Sequence, residues 1–101
     1  MFVRVVRFED VDQGRIDALL ARIEAADGPP PGVPMKAMKF LFDEEQRTAV
    51  SLQYFETAED LATGARVLNE MPAGETPGTR ASVDTCEVVL TLNAEQGAAT
   101  S

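Results

Sequence analysis

Few residues in this chain are equipped for chemistry. Near its end, "TRASVDTCEVVL" reads as a strand, yet it holds the only cysteine, Cys86, beside a carboxylate, Glu87. A thiol becomes nucleophilic when a nearby base or helix N-terminus lowers its pKa, and Thr85 and Glu87 supply neither. Cys86 therefore reads more simply as a small apolar strand residue. Arg4 interrupts the apolar run "FVRVVRF", and Tyr54 is the only tyrosine. Its ring packs best with the hydroxyl at a rim. There is no histidine and no tryptophan. Histidine is the usual general base and the commonest metal ligand. The acidic "DEE" at 43–45 is a hairpin tip without further ligands, so no metal site is expected there. No cofactor and no catalytic residue is assigned from these residues.

The elements that must position them follow from periodicity. "FVRVVRF" (Phe2 to Phe8) is a β-branched strand. Asp12 can cap a helix on whose face Ile16, Leu19, Leu20 and Ile23 recur at i, i+3, i+4 and i+7. Gly28 and the prolines at 29–31 end it. "VPMKAMKFLFD" (Val33 to Asp43) and "RTAVSLQYF" (Arg47 to Phe55) form an antiparallel hairpin. "TAED" opens a second helix with Thr57 as cap and Asp60 at the capping-box position. Leu61, Ala65, Leu68 and Met71 supply its apolar stripe, and Pro72 stops it. "PAGETPGTR" is a loop, "ASVDTCEVVLTL" (Ala81 to Leu92) the last strand, and 93–101 a polar tail expected to be disordered.

The order β-α-β-β-α-β in one domain over 1–92 is the ferredoxin-like α+β arrangement, a four-stranded antiparallel sheet with two helices on one face. A sheet whose second face met water would alternate apolar and polar residues. Here Val3 and Val5 oppose Val6 and Phe8, and Val50, Leu52 and Tyr54 oppose Ala49 and Phe55. Phe40 and Phe42 oppose Leu41 and Met35, and Val88 and Leu90 oppose Val89 and Val83. Two helices cover one face, so a second copy of the sheet is expected to cover the other. Lys36 and Lys39 read as protection of a strand edge.

With these features the chain resembles the dimeric α+β barrel superfamily, which includes antibiotic-biosynthesis monooxygenase-like and stress-responsive A/B-barrel domains. The resemblance rests on the element order, on the hairpin ending "QYFETAED" and on the closing strand "SVDTCEVVL". An aromatic, a Glu and a Ser or Thr often link the third strand to the second helix in that superfamily, as Phe55, Glu56 and Thr57 do here. The likeness implies a homodimer in which two sheets pack face to face. It also implies that any small-molecule site lies between each sheet and its own helices, near Gln53, Tyr54 and Phe55. Haem-degrading and quinone-forming members use combinations of Asn, Trp, His and Tyr. This chain has no Trp or His, and its asparagines, Asn69 and Asn93, lie outside the strands expected to line a pocket.

In this fold the first and last strands are neighbours. Arg4 and Glu87 are expected to face each other across them, as an ion pair at the dimer interface or as polar anchors of a pocket. Glu87 at the sheet edge, facing water, is the simpler alternative. The candidate lining residues are thus Arg4, Gln53, Tyr54, Phe55 and Glu87.

Composition excludes several rivals. Seventeen acids against nine bases give a net charge of −8, which repels nucleic acid and anionic membranes. An RNA-recognition motif would need aromatics where "RTAVSLQY" has Ala49 and Ser51. Metal carriers of this topology need a C-x-x-C pair, and ferredoxin clusters need four cysteines. No stretch approaches a membrane span or a signal-peptide core, so a cytoplasmic protein is expected. The expected function is binding of a small, partly apolar molecule, or a structural or accessory role. The alternative is a cofactor-independent monooxygenase acting on an aromatic or polyketide-like substrate.

Overall fold

The computed structural model describes residues 1–71 and 76–93. Its elements run β1 (Phe2–Glu9), α1 (Gln13–Ala25), β2 (Ala37–Asp43), β3 (Thr48–Phe55), α2 (Ala58–Asn69) and β4 (Thr79–Glu87). The strands form one antiparallel sheet in the order β2-β3-β1-β4. This is the ferredoxin-like arrangement that the sequence implies.

Both helix starts follow from their caps. The Asp12 carboxylate accepts from the Arg15 N–H at 3.0 Å, and the Thr57 hydroxyl accepts from the Asp60 N–H at 3.0 Å. Each satisfies one of the donors that the first turn leaves without an intrahelical partner. The β2–β3 turn is held by Asp43, whose carboxylate accepts from the backbone and side-chain N–H groups of Gln46 at 3.1 and 3.2 Å. The acidic hairpin tip is exposed. No group of three or more His, Cys, Asp or Glu side chains is placed to hold a metal ion among the described residues. No helix among them is long and apolar enough to cross a membrane.

Both helices lie on one face. Ile16 of α1 packs with Val6, Phe8, Val11 and Ala49, and Leu61 and Leu68 of α2 pack with Val33 and Phe55. Phe2, Val6 and Phe8 therefore point toward the helices. By alternation, Val3, Val5, Val50, Leu52, Tyr54 and Leu41 lie on the face that no helix covers. Lys39 lies there too, opposite Leu52 on the edge strand β2.

Two strand limits differ from expectation by more than two residues. β2 starts at Ala37 rather than Val33, because Val33 is held in a turn by its N–H bond to the Pro30 carbonyl. Pro34 next to it has no N–H for a ladder. β4 stops at Glu87 rather than Leu92. Its ladder with β1 ends with Phe2 opposite Glu87 and a bond from the Val88 N–H to the Met1 carbonyl. Val89, Leu90 and Leu92 beyond it are 87%, 80% and 82% exposed. The expected loop falls partly, and the expected polar tail almost wholly, outside the described residues.

Candidate functional site

The site begins with alternation on β1. Phe2, Arg4, Val6 and Phe8 share the helix-facing side, so the pleat sends one cation into an apolar row. Arg4 is only 2% exposed. Opposite it on β3 stands Gln53, with Ser51 opposite Val6. Arg4 Nη1 donates to Gln53 Oε1 at 2.7 Å, and Gln53 Nε2 donates to Ser51 Oγ at 3.0 Å. Arg4 Nη2 donates to Asn69 Oδ1, on the last residue of α2, at 2.6 Å. This polar row divides the core. One apolar cluster gathers around Val6, Phe8 and Ile16, the other around Phe55, Leu61 and Leu68.

The guanidinium is under-served. Its two bonded partners are neutral amides, and Arg4 Nε is buried with no hydrogen-bond partner. Burial, with the nearby Arg80 charge adding to it, holds its pKa below the ordinary arginine value. An arginine keeps its proton regardless, so the site contains a desolvated cation without a counter-ion among its partners.

A cavity of about 120 Å³ lies against this group. Its floor is Arg4, Val6, Phe8, Phe40, Ser51 and Gln53 from the sheet, and its roof is Leu19 and Ile23 from α1. The apolar stripe of α1 explains the space. Of its four members only Ile16 is buried, while Leu20 and Ile23 remain 37% and 39% exposed. The C-terminal half of the helix thus stands off the sheet and leaves a chamber. Leu19, Ile23, Pro30, Met35, Met38 and Met71 also line a wider open groove of about 740 Å³, so chamber and groove are contiguous. Among the described residues, no histidine, cysteine, tyrosine or carboxylate lines the chamber.

The structure brings together two of the five sequence candidates. Arg4 and Gln53 line the chamber and are bonded to each other. Phe55 is fully buried in the second apolar cluster and does not line it. Tyr54 lies on the helix-free face, opposite Val3 and Ala37. Glu87 does not face Arg4. The register sets Phe2 opposite Glu87 and Thr85 opposite Arg4, an offset of two residues. Glu87 is exposed at the end of an edge strand, and Arg4 turns to amides instead. Cys86, opposite Val3, is an exposed free thiol rather than a buried one, because β4 is an edge strand.

Further polar residues outside the expected set reach the site, Asn69 and Arg80 among them. Asn69 does so from a helix, whereas every candidate lining residue read from the sequence lies on a strand. The signal was present: Leu61, Ala65, Leu68 and Asn69 fall at i, i+4, i+7 and i+8, so Asn69 continues the apolar stripe. Arg80 lines the chamber from β4 and donates Nη2 to the Asn69 carbonyl at 3.4 Å.

Comparison with solved structures finds the same fold in a point mutant of MhuD, crystallised with two manganese protoporphyrin IX molecules bound per active site. The identity is 15%, the TM-score is 0.60, and the match covers 93% of this chain and 100% of that one. This likeness is one of fold. No family model and no curated protein matches the chain.

Proposed function

We propose that this chain binds a small, partly apolar molecule in the chamber between its sheet and α1, and that it does so as a homodimer. One observation carries the reading: a buried guanidinium with neutral partners faces an apolar chamber that opens to a groove. Small-molecule sites are concave, mostly apolar and oriented by a few polar groups. The MhuD mutant, which has the same fold, holds two manganese protoporphyrin IX molecules per active site, and that supports a small-molecule role.

The metalloporphyrin itself does not carry over. The chain has no histidine, and Tyr54 and Cys86 pair with Val3 on the opposite face of the sheet. Histidine, thiolate and phenolate donors to a haem metal are therefore missing from the described lining, and methionine, which Met35, Met38 and Met71 do supply, serves haem iron together with a histidine.

The homodimer reading rests on the uncovered face, where Val3, Val5, Val50, Leu52 and Tyr54 lie together. A second sheet is the economical cover for such a face. A cytoplasmic location suits a chain with a single free thiol.

Binding is favoured over catalysis because, among the described residues, no side chain lining the chamber is suited to take a proton at neutral pH. One feature suits catalysis nonetheless. A desolvated cation stabilises an enolate or phenolate as it forms. A cofactor-independent oxygenase acting on an aromatic or polyketide-like substrate is therefore the second reading, tested by substrate-dependent oxygen uptake.

Native mass spectrometry of the purified protein tests the first reading. A dimer carrying a small adduct is the expected result. A monomer would overturn the homodimer. A failure of apolar molecules to bind or to raise the melting temperature would overturn the chamber as a ligand site.

A further inference from the structure

We infer that the chamber takes an amphipathic monocarboxylate, its head group on Arg4 and its apolar tail running out through the groove. The inference rests on the binding role proposed above and specifies its ligand class.

The head group follows from the guanidinium's unfilled capacity. Arginine offers five N–H donors, of which two are used here, both by neutral amides. Arg4 Nε has no partner and is shut away from water. A buried cation is costly without a counter-charge. A planar carboxylate matches the guanidinium fork and supplies the missing charge. Arg80 adds a second positive group at the same wall. A polyanion is a poorer fit: among the described residues only one cation is buried, and the whole chain carries −8.

The tail follows from the walls. Val6, Phe8, Leu19 and Phe40 surround the inner space, and Met35 and Met38 lead to the groove. An engineered apolar cavity of roughly 150 Å³ holds benzene. The inner 120 Å³ thus suits a head group with a few carbons or one ring, and the rest of the molecule extends outward.

The test is calorimetric titration of the intact protein with decanoate and with decanol, both below micelle formation. The tails are alike and only the head differs. Decanoate is expected to bind about tenfold to a hundredfold more tightly, the range for a charge-assisted hydrogen bond. Arg4→Met should bring the ratio toward one, Arg4→Lys should reduce it several-fold, and Arg80→Gln should reduce it least. Equal binding of both probes by wild type would overturn the carboxylate inference and leave the ligand chamber standing. Binding of neither would overturn both. A preference that survives Arg4→Lys unchanged but vanishes in Arg80→Gln would place the anion on the surface and overturn the inference. If Arg4→Met does not fold, the wild-type comparison with the Lys and Arg80 variants still decides.

Discussion

Arg4 Nη2 and Asn69 Oδ1 meet at 2.6 Å, tying the centre of β1 to the last residue of α2 across 65 positions of sequence. The bond ties the end of that helix to the sheet. Asn69→Ala removes an acceptor from a charged, buried donor. The expected cost is about 1–3 kcal/mol, read as a lower urea midpoint with an unchanged slope.

Replacing the cation itself should cost less. Arg4→Met exchanges a desolvated charge for an apolar chain of similar reach, a change that is often neutral or stabilising. Gln53 keeps its bond to Ser51 but loses the donor to its buried Oε1, a cost that offsets part of the relief from removing the charge, and Asn69 is exposed to water. Unfolding free energy is expected to stay within about 1 kcal/mol of wild type in the absence of ligand. A loss of several kcal/mol would show that the guanidinium is a structural bolt.

The pH dependence of that comparison follows from the lowered pKa of Arg4. A cation whose folded pKa is depressed disfavours the fold at every pH below that value, and stability returns only as pH rises through it. Guanidinium stays protonated through the working range. The stability difference between wild type and Arg4→Met should therefore be flat from about pH 5 to 9. Urea midpoints at several pH values check this, and a slope would mean that another group titrates against Arg4.

Two glycines should respond unequally to alanine. At Gly64, an added Cβ would come within 2.6 Å of Phe55 Cε2 and 3.3 Å of Val33 Cγ1. Ring and methyl can shift, at a cost of about 1–3 kcal/mol. At Gly78 it would come within 2.5 Å of the Glu9 carbonyl oxygen and 3.1 Å of Val11 Cα, which are backbone atoms. Gly78→Ala is expected to lower the melting temperature more than Gly64→Ala, a ranking that thermal unfolding monitored by circular dichroism can reverse or uphold.

Leu52 pairs with Val5 and Lys39 on the face away from both helices. Leu52→Asp should leave the monomer folded and dissociate the proposed dimer. Light scattering behind size exclusion reads the mass, and the far-ultraviolet spectrum reads the fold. A mass unchanged from a wild-type dimer would mean that the copies join elsewhere.

The element order and both caps were legible in the sequence because each rests on local chemistry. Alternation put Arg4 on one face with Phe2, Val6 and Phe8, but did not say whether that face meets the helices or a partner sheet. Pairing across β1 and β4 was not legible. Register depends on where two distant segments meet, and here a bulge intervenes. Arg7 pairs with Ser82 but Phe8 with Arg80, leaving Ala81 as the extra residue. Such an insertion exchanges the faces on either side of it. The chamber was hidden for another reason. The stripe on α1 looks like an ordinary core face, and only the packed structure shows that most of it stands off the sheet.

Three of the residues leading from chamber to groove, Met35, Met38 and Met71, are half-buried thioethers. Their flexibility lets the passage adapt to tails of different shape. It also makes the passage vulnerable to peroxide. Each sulfoxide would set a polar dipole on the path of an apolar tail, without touching Arg4 or the ladder of the sheet. On the proposed binding role, oxidative ageing of this protein would thus impair ligand entry before it impaired the fold, and a methionine sulfoxide reductase would restore it.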